Sequence, residues 1–390
     1  MDFSVGSRDT SGAARAGTLG FGHTEVPTPA FMPVATQGTV KTLTPDEVRA
    51  AGARLLVANT YHLYLRPGHE RVRSLGGIRR FMNWDGAVLT DSGGFQVYSL
   101  ASLCRVSDDG AEFQSHIDGS RHFFSPEKVV EIQQALGSDI AMCLDECPPY
   151  PVARERAVEA AARTRLWAAR SLACRPEGLT LFPIVQGATW AELRRQNARE
   201  LVELDAPGYA IGGLCLGEPA GVTDEMVAAV TAELPADRPR YLMGAGYPEN
   251  IIGAVRLGVD LFDCVLPTRN GRTGTAFTSS GRVVIRNARY IDDPAPLDAN
   301  CGCETCRARS VGDPGELCTG AAEVRIRHGH HEHAVGLADH LPADSGFVAV
   351  RVGDLHDEHG LASRDIHHRE EMAVGRHAHV PTVDRDPVAG

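Results

Sequence analysis

No stretch of this 390-residue chain approaches the roughly 18 to 20 consecutive apolar residues that a membrane span needs, and the N-terminus has no charged segment followed by an apolar one. These absences predict a cytoplasmic protein without a membrane partner. Lysine is almost missing, Lys41 and Lys128 being the only two, and the formal net charge of −11 argues against a non-specific nucleic-acid binder while leaving room for a local basic face. No G-x-G-x-x-G follows the first apolar strand, so the signature of a dinucleotide-binding open sheet is absent. Paired-cysteine spacing is missing from most of the chain. Of ten cysteines only the last few cluster, which points to metal binding rather than to disulfides.

What is present is a regular alternation of apolar strands and amphipathic helices. Strands are predicted at Ala30–Val34, Arg54–Asn59, Ala87–Asp91, Ile140–Asp145, Leu181–Gln186, Tyr209–Gly213, Tyr241–Ala245 and Leu261–Val265. Helices intervene. Thr44–Ala53 opens with a T-x-x-E capping box of Thr44 and Glu47, Ser125–Leu136 has Pro126 in its first turn, and Thr189–Leu204 carries a second such box in Thr189 and Glu192. Eight strands separated by helices predict an α/β fold of the (β/α)8 TIM-barrel type. Asp91, Asp145, Gln186, Gly213 and Asp263 then all fall at the C-terminal ends of strands, where barrel sites are assembled. A single Asp after a strand is most often a turn former or a helix cap. Three carboxylates at one mouth, with no Lys or Arg in the same motifs, repel one another and call for a functional reason.

Several motifs occur in a fixed order: LTDSGGFQV at Leu89–Val97, DECPPY at Asp145–Tyr150, IVQG at Ile184–Gly187, YAIGGLCLGEP at Tyr209–Pro219, MGAGYPEN at Met243–Asn250, LFDCVLPTRNGRTGT at Leu261–Thr275, and CGCETC at Cys301–Cys306. From the N-terminus to about Cys306 the chain resembles the bacterial tRNA-guanine transglycosylases, the queuine tRNA-ribosyltransferases. The resemblance implies exchange of guanine at the wobble position of tRNAs with guanine-starting anticodons for 7-aminomethyl-7-deazaguanine, through a covalent Asp-linked ribosyl intermediate, in queuosine biosynthesis. It implies Asp263 as nucleophile and Asp91 as general acid and base, with retention of configuration at C1′. The base-binding set it implies is Asp91, Ser92, Gly93, Gly94, Phe95, Asp145, Gln186, Gly212, Gly213 and Met243, in which Asp145 reads the guanine edge and Phe95 and Met243 sandwich the ring. Leu216 and Cys147 fit the bacterial pattern with a small pocket. RNA contacts are implied at Gly244, Ala245, Gly246, Tyr247, Pro248, Glu249 and Asn250, and at Thr268, Arg269, Asn270, Gly271 and Arg272 in a loop after the last strand.

Cys301, Cys303 and Cys306 form C-x-C-x2-C and match the family's structural Zn2+ site, which a histidine completes. The family's spacing falls on Glu332, flanked by His331 and His333, and no HN dipeptide follows Cys306. His331 is the expected fourth ligand. Beyond, eleven of the sixteen histidines lie between His328 and His379, and Phe347 is the only aromatic of the Phe, Tyr and Trp class after Tyr290. Such composition does not build a compact helical subdomain. It reads as a metal-binding tail or as a divergent, out-of-frame end. The expected organisation is a barrel over 1–295, an atypical zinc-binding segment over 296–335 and a His-rich tail over 336–390. A homodimer is implied by the family, weakened by the altered end. The alternative is a noncatalytic tRNA-binding relative or a non-functional variant with a disrupted C-terminus. Retention of Asp91, Asp145 and Asp263 favours the enzyme.

Overall fold

Nine short strands, almost wholly buried, carry the fold: β1 Ala30–Pro33, β2 Leu55–Ala58, β3 Ala87–Thr90, β4 Ile140–Met142, β5 Thr180–Phe182, β6 Ile184–Val185, β7 Tyr209–Ile211, β8 Arg240–Leu242 and β9 Leu261–Cys264. The computed structural model describes residues 1–10, 12–100, 104–312, 323–327 and 347–351. Every pairing among these nine strands is parallel, in two runs of neighbours, β5-β4-β3-β2 and β6-β7-β8-β9-β1. A parallel bridge between Val34 and Val57 joins β1 to β2. Only Pro183, which has no N–H to give a ladder, separates β5 from β6. All eight predicted strand segments are therefore strands, and the chain is a mixed α/β protein.

Strands buried on both faces read as continuous apolar runs, and two layers of packing explain why. Alternate side chains, among them Met32, Leu55, Val57, Leu89, Met142, Phe182, Ala210, Tyr241 and Leu261, form one apolar cluster to which the nine strands contribute. The residues between them face the helices and join two outer clusters. Leu19 and Val26, from an antiparallel sheet of Asp2–Arg8, Arg15–Gly20 and Glu25–Thr28, complete the inner cluster. Arg15 anchors that sheet through a buried ion pair with Asp260 at 2.5 Å.

Helices lie in the connections, including Pro45–Ala50, Pro126–Leu136, Arg154–Ala173, Ala191–Val202, Ala220–Thr231 and Pro248–Arg256. The first capping box forms as expected: Thr44 N–H donates to Glu47 at 2.7 Å, and Glu47 N–H to Thr44 Oγ1 at 3.2 Å. The second does not. Trp190, not Thr189, precedes the helix Ala191–Val202, and no side chain caps it. The expected loop after β9 is also a helix, Leu266–Thr273, because Pro267 suits a first turn and Gly274, at φ +75°, closes the last one. Sequence alternation missed a three-stranded antiparallel insert, Cys104–Ser107, Gly110–Gln114 and Arg121–Phe124. The insert packs on the helix Thr60–Leu65 through Tyr61, whose hydroxyl meets His116 Nδ1 at 2.8 Å.

Candidate active site

The candidate carboxylates lie at or just past the C-terminal ends of strands. Asp91 follows β3, is 7% exposed, and accepts hydrogen bonds from Asn59 Nδ2 at 2.6 Å and the Thr60 N–H at 2.7 Å. Burial raises its pKa to about 6, against the lowering pull of Asn59, Thr60 and Gln96, and the negative charge of Asp263 pushes the same way as burial. Asp263 lies within β9, partly exposed at the mouth. Two donors converge on its Oδ1, the Tyr241 hydroxyl at 2.6 Å and the Gly244 N–H at 2.9 Å. Among the described residues no hydrogen-bond donor reaches Oδ2. Burial raises the Asp263 carboxyl too, and Tyr241, buried beside that charge, is held well above the ordinary phenol range and stays a donor.

Asp145, three residues beyond β4, accepts from Ser92 Oγ and from Gln186 Nε2, each at 2.8 Å, and burial raises its pKa despite both bonds. Its neighbour Glu146 takes two arginines, Arg156 and Arg163. Among the described residues no cation lies within ion-pair distance of Asp91, Asp145 or Asp263, so these three charges are unneutralised while Glu146 is not. The Gln186 amide nitrogen is committed to Asp145, and its buried oxygen has no hydrogen-bond partner among the described residues. That oxygen faces Gly213, where a Cβ would stand only 2.4 Å away and where φ is +64°. Gly94 is required for a similar reason: a Cβ there would fall 2.5 Å from the Asp145 carbonyl oxygen.

The remaining candidates line the same rim. Phe95 is 46% exposed and Met243 half-buried. Cys147 is buried beside Gln186 and Gly213, and burial pushes its thiol up to about 12. Leu216 is half-buried in the turn after β7. The first stretch expected to touch RNA packs against residues that flank the second: a Cβ on Gly246 would meet Cys264 Cβ at 2.4 Å and Leu266 Cβ at 3.1 Å, and Tyr247 stands edge-on to Phe277. Tyr247 and Arg269 are exposed, while Thr268 is buried and bonds the Val265 carbonyl.

Four contributors escaped the sequence reading. Asn59, closing the apolar run RLLVAN, was visible as its polar end. Thr60 and Tyr241 had no pattern to mark them. Glu218 accepts the N–H groups of Cys215 at 2.5 Å and Leu216 at 2.9 Å and the Thr223 hydroxyl at 2.7 Å. Burial pushes its carboxyl up, but those donors outweigh burial and leave it below the ordinary value.

The sulfurs of Cys301, Cys303 and Cys306 lie within 4.8 Å of one another and could hold a metal ion. Cys303, ahead of the short helix Glu304–Ala308, accepts from the Cys306 N–H at 3.4 Å. His331 and His333 lie outside the described residues, as does the 336–390 segment apart from residues 347–351.

A family model described as queuine tRNA-ribosyltransferase matches residues 9–313. The queuine tRNA-ribosyltransferase of Pelotomaculum thermopropionicum is 56% identical over 311 residues, 79% of this chain and 83% of that protein. That of Desulforudis audaxviator is 57% identical over 307 residues, 78% and 82% of the two chains. That of Geobacillus kaustophilus is 56% identical over 297 residues, 75% and 78%.

Proposed function

The chain belongs to the queuine tRNA-ribosyltransferase family, and from that premise we propose how its own residues perform base exchange on tRNA. It is a pentosyltransferase, a tRNA-guanine transglycosylase of queuosine biosynthesis. The observation that carries the reading is the pair of carboxylates, buried Asp91 and half-buried Asp263, with no cation beside them among the described residues and with both donors to Asp263 on one oxygen. Asp263 Oδ2 attacks C1′ of the wobble guanosine and the bond from C1′ to the base nitrogen breaks. Asp91, with a pKa near neutrality, delivers the proton to the departing guanine. The incoming base gives its proton back to Asp91 and attacks C1′, expelling Asp263. Two inversions retain configuration.

Base binding exchanges partners at Asp145. Without base, Ser92 and Gln186 satisfy its oxygens. A guanine or 7-deazaguanine edge brings N1–H and amino donors to the carboxylate, and releases the Gln186 amide to meet the exocyclic oxygen beside the Gly213 N–H. Phe95 and Met243 take the two faces of the ring, with Gly93 and Gly212 letting it approach the backbone. Tyr247, Asn250, Thr268, Arg269, Asn270 and Arg272 meet the RNA, the arginines as forks to phosphate. A cytoplasmic homodimer, loosened by the altered end, is the proposed assembly; among the described residues no helix is long and apolar enough to cross a membrane. We read β5 and β6 as one strand, so that the two runs of the sheet close as an eight-stranded TIM barrel within residues 1–295, followed by 296–335 and the 336–390 tail. The noncatalytic alternative is disfavoured by the three carboxylates and by relatives more than half identical. Incorporation of labelled guanine into unmodified tRNA by purified protein tests the function; no incorporation would defeat it.

The small pocket has a measurable consequence. With Leu216 and Cys147 beside the base, 7-aminomethyl-7-deazaguanine is expected to compete with labelled guanine, and queuine, with its cyclopentenediol, to compete at least about tenfold less, a typical ratio for excess bulk in an apolar pocket. Leu216→Gly should narrow that gap. Equal competition by both bases against the unaltered protein would refute it.

Zn2+ fits the three converging thiols, which as thiolates are the soft donors it prefers. When bound, the ion cross-links the segment after the barrel and contributes folding free energy. His331 is the proposed fourth ligand, with His333 next to it. Metal analysis should find one zinc per chain, lost on Cys303→Ser and more readily stripped by chelator from His331→Ala. Unchanged zinc content and chelator resistance in both His331→Ala and His333→Ala would eliminate these histidines.

A further inference from the structure

The helix Ala191–Val202 carries one guanidinium that does not behave like its neighbours. Arg195 and Arg199 pair with Glu192 at the surface, whereas Arg194 is wholly buried and, among the described residues, has no carboxylate within ion-pair distance. Its donors go to main-chain carbonyls instead: Nε to Ala188 at 2.5 Å, and Nη2 to Gly212 at 2.9 Å and Gly213 at 3.1 Å. Nη1 has no hydrogen-bond partner among the described residues. One planar cation therefore spans the ends of two adjacent strands, joining the loop that follows Gln186 to the turn that begins at Gly212. The packing is close, since a Cβ on Gly187 would fall 2.9 Å from Arg194 Cγ.

The backbone it holds is the costly kind. Ala188 at φ +49° and Cys215 at φ +59° are non-glycine residues in the left-handed region, and Gly213 lies there too. The turn is gripped from both sides by matching charge, carbonyls of 212 and 213 on the Arg194 cation and N–H groups of 215 and 216 on the Glu218 anion. Burying a guanidinium without a counter-ion is expensive, and desolvation lowers its pKa to about 10. An apolar residue would fill the same space at less cost if packing were all that mattered.

We propose that Arg194 is a positioning residue for base recognition: its guanidinium fixes the 186–188 and 212–216 backbones relative to each other, and so sets the affinity and 7-substituent selectivity for the free base without touching it. The inference rests on the base-exchange reading. Lysine at 194 keeps the charge but not the fork that reaches three carbonyls, and methionine removes both.

Steady-state exchange is measured for Arg194→Lys and Arg194→Met alongside thermal melting. The KM for free base should rise about tenfold or more, the size expected from losing a charged hydrogen bond, while the KM for tRNA stays within about twofold and Arg194→Lys melts close to the unaltered protein. Discrimination between guanine and 7-aminomethyl-7-deazaguanine should shrink in both variants. An unchanged base KM in a folded variant, an equal rise in both KM values, or failure of both variants to fold would each overturn the assignment. Absence of exchange by the unaltered protein would instead defeat the base-exchange reading itself.

Discussion

Replacing Asp263 by Asn is expected to abolish base exchange, by a factor on the order of 10⁴ or more, as when a nucleophile is removed from a covalent mechanism. The substitution keeps volume and leaves an acceptor for the Tyr241 hydroxyl and the Gly244 N–H, which lie 2.6 and 2.9 Å from Oδ1. What it removes is the charge and the lone pair of Oδ2 that attacks C1′. Binding of tRNA rests on residues outside this carboxylate and should persist in a filter or mobility assay. The decisive measurement is the covalent adduct, trapped as a tRNA-linked band on a denaturing gel. An adduct formed by Asp263→Asn would transfer the nucleophile to another residue, and Asp91 would be the first to examine.

Asp91→Asn should reduce exchange nearly as severely, on the order of 10² to 10⁴-fold, the range supplied by a positioned general acid and base. A second effect of opposite sign follows from burial. The folded protein raises the Asp91 pKa from 3.8 to about 6, which means that its ionised form is disfavoured in the fold. The sign follows directly: the contribution to stability is fully present below the unfolded value and is lost as pH rises through about 6. The loss, complete at neutral pH and above, has a ceiling of about 3 kcal/mol from the size of the shift. Asp91→Asn should therefore melt no lower than the unaltered protein at pH 7.5, and its advantage should shrink as pH falls towards 4. A variant that melts substantially lower at pH 7.5 would show that the carboxylate stabilises the fold rather than being held there at its expense.

The two effects belong together. Asn59, Thr60, Gln96 and Tyr241 offset part of the desolvation cost at Asp91 and Asp263, but no cation among the described residues does, and an arginine close to either would hold the carboxyl low and stop it trading a proton near neutrality. Glu146 shows the contrast within one motif: one residue from Asp145, it is paired with Arg156 and Arg163 and takes the structural part.

By itself the sequence determined the periodic skeleton and singled out the carboxylates proposed to react. The apolar runs that became β1 to β9 are legible because burial on both faces leaves no polar position to confuse the pattern, and the three aspartates are legible because each is a charged residue at or near the end of such a run. The Cys301, Cys303 and Cys306 cluster is legible for a different reason, since its ligands are close along the chain. Tertiary structure alone decided which side chains finish the site. Tyr241 points at Asp263 only because β8 and β9 pair in one register, Tyr241 with Leu261 and Leu242 with Phe262. Asn59 and Thr60 meet Asp91 only because β2 lies beside β3. The helix after β9 replaced the expected loop because Pro267 and Gly274 happen to suit its two ends. Arg194 is the extreme case. In a helix rich in Arg and Glu nothing local distinguishes it from Arg195, and only the packing of that helix over the ends of β6 and β7 turns one of two adjacent arginines into a buried clamp. Composition and spacing report what a residue can do; which partners it meets depends on contacts between segments far apart in the chain, and those are set by how strands pair and helices pack.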